Sequence, residues 1–419
     1  MKAKKANATS KKTVKKTKMK TAEVYRFAHP FFTTKPVSAR KPVPGVGKRM
    51  TAHIATTLEP IPDPIRNPPV LMLSDLIGKS EADAIGATNS ISFHAVGDTG
   101  HVGGGSEDMQ EYVADAMALD FDIAHPDRSP AFFFHLGDVN YYDNTDKGYQ
   151  EQFYVPYKRY PGKIIAIPGN HDGEIYKYDG SWVGQKNSLD AFIRNFVQPE
   201  PSVPPAAGTI YRQMVSQPGV YWSLEAPLMD LIGLYSNVAE GPGYIADSMI
   251  GNKQKDWLSQ TLTKIKQARS AGARKALIVG VHHPFFSAGA HSGSPQMLAD
   301  LDQVCKSCGI MPDVVLSAHS HDYERYTRYV TLGNQNMEIP FIVAGGGGRG
   351  LSLHLSAASG IRSGDLSYEK SLLDYGYLKV TVTTSEIEIQ LIQVQVIGGS
   401  MSTNVFDTVN VDLNTNKLR

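Results

Sequence analysis

Five short stretches of this 419-residue chain place chemically capable side chains directly after apolar runs. ISFHAVGD ends in Asp98 and continues into Thr-Gly. AFFFHLGD ends in Asp138, followed by Val-Asn-Tyr141. KIIAIPGNHD ends in Asn170, His171 and Asp172. KALIVGVHH ends in His282 and His283, and PDVVLSAHSH carries His319 and His321. Asp98, Asp138 and Tyr141 are anionic oxygen donors. With His321 they form a hard, strongly negative set that favours a trivalent or hard divalent cation, and the phenolate suits Fe(III) in particular. Asn170, His282 and His319 are neutral donors that fit a softer divalent ion such as Fe(II), Zn(II) or Mn(II). Asp138 lies between the two groups along the chain and has two oxygens with which to bridge. Two cations about 3.5–4 Å apart would bind a phosphate ester and ionise a water at ordinary pH.

Each stretch alone has a plainer reading. A Gly-Asp pair after a strand is commonly a turn, and an Asn-His-Asp run can cap a helix. What joins them is their shared place at predicted strand ends. In open α/β sheets ligands bind outside the carboxyl ends of the strands. His94 and His135 lie inside their strands, upstream of the loops, and read as structural.

The elements that must position these residues follow from the apolar pattern. Residues 91–172 read as βαβαβ, with strands ISFHAVGD, AFFFHLGD and KIIAIPGNHD, which implies a parallel sheet covered by helices. Ser106 is placed to cap a helix over SEDMQEYVADAMALD, with acids in its first turn. Later strands are expected at VYWSLEA, LMDLIGLYS, KALIVGVHH and PDVVLSAHSH. The helix NKQKDWLSQTLTKIKQARS precedes the third of these, with Trp257, Leu258, Leu262 and Ile265 on one face. FIVAGGGG, YLKVTVTT and EIEIQLIQVQV read as consecutive strands, and alternation in the last two leaves one face exposed. Residues 173–218 read as a long loop insertion with one short helix. GGGGRG at 345–350 lacks the lysine and Ser/Thr of a P-loop. It reads as a close-approach turn beneath the metal loops, with Arg349 near the site.

Composition sets the outer bounds. With 41% hydrophobic and 20% charged residues the chain reads as globular. No apolar stretch reaches the roughly 18–20 residues of a membrane span. Residues 1–50 hold 12 Lys and 3 Arg against one Glu, a formal +14 that leaves −13 on the other 369 residues. We expect 1–50 to be a basic, disordered tail with weak contact to polyanions. Residues 51–90 are expected as a Pro-rich linker or wrapping segment, and residues 91–419 as the catalytic domain. No secretory signal is visible in the tail, which favours the cytoplasm. The two cysteines, Cys305 and Cys308, exclude a disulfide scaffold and read as ordinary thiols at the end of a helix. The sequence sets no oligomeric state.

The order GDTG, GDVNY, GNHD, VGVH and AHSH resembles the five-block signature of purple acid phosphatases, within the calcineurin-like metallophosphoesterases. The likeness covers about residues 91–350. Gly100 stands where most of that superfamily has a histidine, and Tyr141 appears after the second aspartate instead, as in the purple branch. The resemblance implies an α/β four-layer αββα sandwich of two mixed β-sheets flanked by helices, with the metal site at the C-terminal ends of strands. It implies Fe(III) on Asp98, Asp138, Tyr141 and His321, and a divalent metal (Fe(II), Zn or Mn) on Asp138, Asn170, His282 and His319. A metal-bound hydroxide would attack a phosphomonoester in line. His171 and His291 match family histidines that face substrate, and His283 is expected to act behind the ligands. Ala318 replaces the more usual glycine of the last block. A Mn/Zn-dependent phosphodiesterase or nucleotidase stays open beside the phosphatase. So does, more remotely, a non-catalytic metal-binding scaffold with a polyanion-binding arm.

Overall fold

The structure is a computed structural model. It describes the backbone of residues 52–53, and residues 58–100, 109–122, 124–125, 128–178, 180–272, 274–354 and 362–419. The Lys-rich segment 1–50 and the expected cap at Ser106 lie outside these residues.

Two large mixed sheets flanked by helices form the body. One sheet has seven strands among the described residues. At one end of it Ser90–Val96, Phe132–His135 and Lys163–Ala166 run parallel, in chain order, with the last at the edge. Gly376–Thr383 joins the free edge of the first strand antiparallel. Glu386–Ile397 and Ser400–Asp412 extend the sheet as a long hairpin. The other sheet has nine described strands. Met229–Leu234, Ala276–Val281, Val314–Ser317 and Gln335–Ala344 form its parallel core. Trp222–Glu225 flanks this core on one side and the antiparallel strands Tyr323–Leu332 and Leu366–Leu372 flank it on the other.

The central strands are buried on both faces, so their sequences are continuous apolar runs. Alternation then decides which side chain serves which layer. Phe93, Phe132 and Phe134 face the other sheet, where they join Trp222, Leu231, Ile278 and Leu316 in one apolar cluster. Phe133, between them, faces outward and packs on Tyr157 and Tyr160. Gly280 keeps the sheets close: a Cβ there would stand 2.3 Å from the Phe134 ring. On the outer face of the nine-stranded sheet, helix Lys253–Ser270 buries Trp257, Leu258, Leu262 and Ile265, as its period predicts. Helix Pro295–Cys308 ends at Gly309 in the left-handed region, with Cys305 and Cys308 unbonded to each other.

One expectation needs correction. The sequence places the start of regular structure at residue 91 and reads 51–90 as linker. Yet Val70–Met72 forms a strand parallel to Trp222–Glu225. Helices Leu73–Ile77 and Lys79–Thr88 follow it. The prolines stop at Pro69, and beyond them Leu73, Leu76, Ile77, Ala82 and Ile85 recur at helical spacing and are buried. Residues 58–69, where the prolines lie, carry neither helix nor strand. No helix among the described residues is long and apolar enough to cross a membrane.

Candidate metal centre

The five strand ends named from the sequence open onto one place. Three of the turns there hold a non-glycine residue in the left-handed region: Asp98 at φ 55°, Asp138 at 53° and His319 at 68°. That conformation is uncommon outside glycine, although aspartate and histidine adopt it more readily than most residues. It turns each side chain from the line of its strand toward the common centre. Close packing between the turns is what holds it. At Gly169 a Cβ would lie 2.0 Å from Asp138 Oδ1, so only glycine fits against that carboxylate.

Asp172 braces two of the turns. Its Oδ2 accepts the amides of Gly169 at 2.9 Å and Val139 at 3.2 Å, and its Oδ1 accepts that of Asn140 at 3.3 Å. The backbone of Tyr141 is clamped on both sides by Gln152. The Tyr141 amide donates to Gln152 Oε1 at 2.9 Å, and Gln152 Nε2 donates to the Tyr141 carbonyl at 3.0 Å.

The predicted ligands separate into two groups in space. In the first, the Tyr141 hydroxyl lies 3.0 Å from Asp98 Oδ1 and 3.3 Å from His321 Nε2, and His321 Nε2 lies 3.5 Å from Asp98 Oδ1. In the second, His282 Nε2 stands 3.2 Å from Asn170 Oδ1 and 3.5 Å from Asp138 Oδ1. Asp138, His282 and His319 offer ligand atoms all within 4.8 Å of one another. Backbone carbonyls fix the imidazoles: His282 Nδ1 donates to Leu136 at 2.9 Å and His321 Nδ1 to Gly350 at 2.8 Å. The other ring nitrogen of each is thereby left as a lone pair facing the centre. His319 has its Nε2 3.3 Å from the Glu240 carbonyl, which leaves Nδ1 as its lone pair.

The donor set fits cations. Asp98 and Asp138 are buried, and a buried carboxylate without compensation is costly. Burial, with the Asp138 charge adding to it, pushes the Asp98 carboxyl up to about 7. Burial and then Asp138 and Asp98 hold the Tyr141 phenol well above its ordinary range, with Arg349 opposing them. Asp138 Oδ1 accepts the His171 amide at 3.0 Å. Its Oδ2 is buried with no hydrogen-bond partner. A buried carboxylate oxygen without a hydrogen-bond donor is open to a cation.

The remaining sequence candidates are also at this end. The His171 ring is 4.5 Å from that of Tyr141, and its Nδ1 donates to Glu174 Oε2 at 2.6 Å. Burial would lower the His171 pKa, but the Glu174 and Asp138 carboxylates outweigh it and raise it to about 9. The His291 ring lies 4.3 Å from His319 and 5.7 Å from His321, half-buried at the mouth. His283 points away, with Nδ1 2.7 Å from Ser236 Oγ and Nε2 donating to the Ala239 carbonyl at 2.7 Å. It therefore holds the loop that carries Glu240. The Arg349 guanidinium lies 4.5 Å from the centre of the Tyr141 ring. Ala318 stands where glycine is usual, and it packs on Gly97: a Cβ on Gly97 would meet that of Ala318 at 2.5 Å. His94 and His135 are engaged elsewhere. His94 lies 2.9 Å from the Asp120 carboxylate and His135 2.8 Å from Thr99 Oγ1. Sequence reasoning missed Asp172, Glu174 and Glu240 as members of the site. Asp172 stands within the GNHD run it had singled out and Glu174 two residues beyond it, whereas Glu240 sits on a loop with no readable motif.

The calcineurin-like phosphoesterase family model matches residues 91–323. The chain belongs to that family. Membership indicates a metal-dependent phosphoric ester hydrolase, and the matched span contains all seven candidate ligands of this phosphoesterase. Comparison with curated proteins gives no match. Among solved structures the phosphoesterase resembles GAP50, the anchor in the inner membrane complex of Plasmodium, at 14% identity and TM-score 0.46, over 76% of this chain and 87% of that one. It resembles PhoD at 13% identity and TM-score 0.47, over 86% of this chain and 73% of the other. It also resembles a dimetal phosphatase from Danio rerio at 10% identity and TM-score 0.40, over 76% and 99%.

Proposed function

We propose that this phosphoesterase is a binuclear phosphatase of the purple acid phosphatase type that hydrolyses phosphomonoesters. Asp98, Asp138, Tyr141 and His321 would hold Fe(III). Asp138, Asn170, His282 and His319 would hold a divalent ion, Fe(II), Zn(II) or Mn(II). The observation that carries this reading is the buried, unpartnered Oδ2 of Asp138, a residue whose other oxygen lies 3.5 Å from His282 Nε2. Cations bound there supply Lewis acidity toward phosphoryl oxygens and lower the pKa of a water.

The chain's own residues do the rest. Glu174 anchors His171 through Nδ1, so Nε2–H is free to donate to a phosphoryl oxygen. The Glu174 carboxylate favours the protonated ring, and a charged donor strengthens the bond. His291 is the complementary group. Burial lowers its pKa, so a proton on it passes readily to a leaving alkoxide. Gln152 keeps the Tyr141 oxygen trained on Asp98 and His321.

Metal stoichiometry and substrate choice test the reading together. Protein reconstituted with iron and a divalent ion should bind two metals per chain. It should turn over an aryl phosphomonoester at least tenfold faster than the matching diester. One metal per chain, or a preference for the diester, would contradict it.

A further inference from the structure

Two charged side chains flank the donor groups, one beside Tyr141 and the other beside Asn170. Arg349 is the first. Its backbone amide donates to the Asp98 carbonyl at 2.9 Å, which fixes the glycine-rich turn against the first ligand loop. Its guanidinium rests on the rings of Tyr141, at 4.5 Å, and Tyr142, at 5.5 Å. Its remaining polar contact is a long one, Nη2 to the Tyr142 hydroxyl at 3.4 Å. Among the described residues it forms no ion pair. The guanidinium lies on the Tyr141 ring, whereas the Tyr141 hydroxyl faces Asp98 and His321. The positive charge is therefore set back from the metal-facing atoms, toward the half-exposed Tyr142.

Tyr142 itself stands at φ 60°, a conformation that an aromatic residue rarely takes. That backbone places its ring beside Arg349 and 5.1 Å from His171. Glu240 is the second. Its Oε2 lies 3.1 Å from Asn170 Nδ2 and 4.0 Å from His171 Nε2, and its side chain is 63% exposed. His283 holds its loop in place through the Ala239 carbonyl.

We infer that Arg349 selects phosphomonoesters whose leaving group carries a second anionic group, and that Glu240 repels such a group from the Asn170 side. A guanidinium with no carboxylate partner among the described residues presents a planar fork that matches a carboxylate or a second phosphate. An opposite charge beside Asn170 makes the wrong orientation unfavourable, and repulsion of this kind is how selectivity is commonly built. The inference rests on the phosphatase reading above and names the substrate class for the same site.

The test uses full-length metal-loaded protein with glycerol 3-phosphate and 3-phosphoglycerate, which differ by one carboxylate. The readout is the ratio of kcat/KM for phosphoglycerate to that for glycerol 3-phosphate. A second ratio comes from inhibition constants of the non-hydrolysable pair 3-phosphonopropionate and propylphosphonate. Arg349→Gln should lower both ratios at least fivefold, and Arg349→Lys should retain part of the preference. Glu240→Gln should move them the other way, upward, because repulsion of the carboxylate is lost. A structural defect slows both substrates alike and leaves the ratio where it was. Ratios unchanged in Arg349→Gln, with both substrates turned over, overturn this inference alone. Wild-type protein that turns over neither substrate, nor phenyl phosphate, overturns the phosphatase reading beneath it.

Discussion

Asp172 accepts the amide of Gly169 at 2.9 Å, and the same oxygen accepts the amide of Val139 from the neighbouring strand end at 3.2 Å. One carboxylate thus ties the loop of Asn170 to the loop of Asp138 and Tyr141, although it offers no ligand itself. Groups that orient ligands typically contribute ten- to a hundredfold to metal affinity. Asp172→Asn keeps the size but turns one oxygen into a donor that faces an amide. We expect about tenfold weaker metal binding in a competitive chelator titration, with the fold intact by circular dichroism. Unaltered affinity would remove Asp172 from the account.

Gly169 tests the same junction by crowding. Its added Cβ would fall 2.0 Å from Asp138 Oδ1 and 2.4 Å from the Asp138 amide nitrogen. Both neighbours are tied into the turn, so neither moves cheaply. Gly169→Ala should cost about 1–3 kcal/mol, as overpacking does, and should lower the metal content of the purified protein. Wild-type metal content in this variant would show that the turn gives way more easily than its packing implies.

The inter-sheet core provides a contrast. Phe134 is buried against Trp222 at 5.4 Å, four residues before Asp138 but directed into the inter-sheet cluster rather than at the ligands. Phe134→Ala should lose about 3–5 kcal/mol in chemical denaturation, by transfer and cavity terms. The metal stoichiometry of the folded fraction should not change. A loss of metal without loss of stability would mean that the core reaches the site in some way that the packing does not reveal.

A pH dependence follows from Lys163. It is buried in the central sheet, and its Nζ donates to Gln213 Oε1 at 2.9 Å. Burial first, and then the buried Arg212, lower its pKa to about 8. The folded state therefore disfavours the charged amine. The resulting penalty is full below about pH 8 and disappears as pH rises toward the ordinary value near 10.5. In that window the unfolded chain holds the extra proton, so stability rises with pH. Denaturation of the wild type should show this rise between about pH 8 and 10.5, and Lys163→Met should flatten it. The same variant should be more stable near pH 7 by roughly 1–3 kcal/mol. Parallel curves for the two proteins across the window would contradict the assignment.

The sequence made the strand ends legible because each group of candidate ligands begins within three residues of an apolar run, a local pattern. Glu240 was not, since its approach to Asn170 spans 70 residues and depends on a loop held by His283. Asp172 and Glu174 stood in view, but their roles are hydrogen bonds whose partners only the folded chain brings together. The strand at Val70–Met72 was hidden by the prolines before it. Tyr323–Leu332 was hidden by its charged residues Arg325 and Arg328, which pair with Asp407 and Asp302 in the folded chain. Tyr142 lies on the edge beside Arg349, a place that its position next to Tyr141 in the sequence does not reveal.

The central claim is that Tyr141 brings a phenolate to Fe(III) on the Asp98 and His321 side. Visible spectroscopy of iron-reconstituted protein tests it directly. The wild type should show a purple tyrosinate-to-iron charge-transfer band, and Tyr141→Phe should lack the band while still binding iron. A band that persists in Tyr141→Phe, or a colourless wild type with iron bound, would contradict the account.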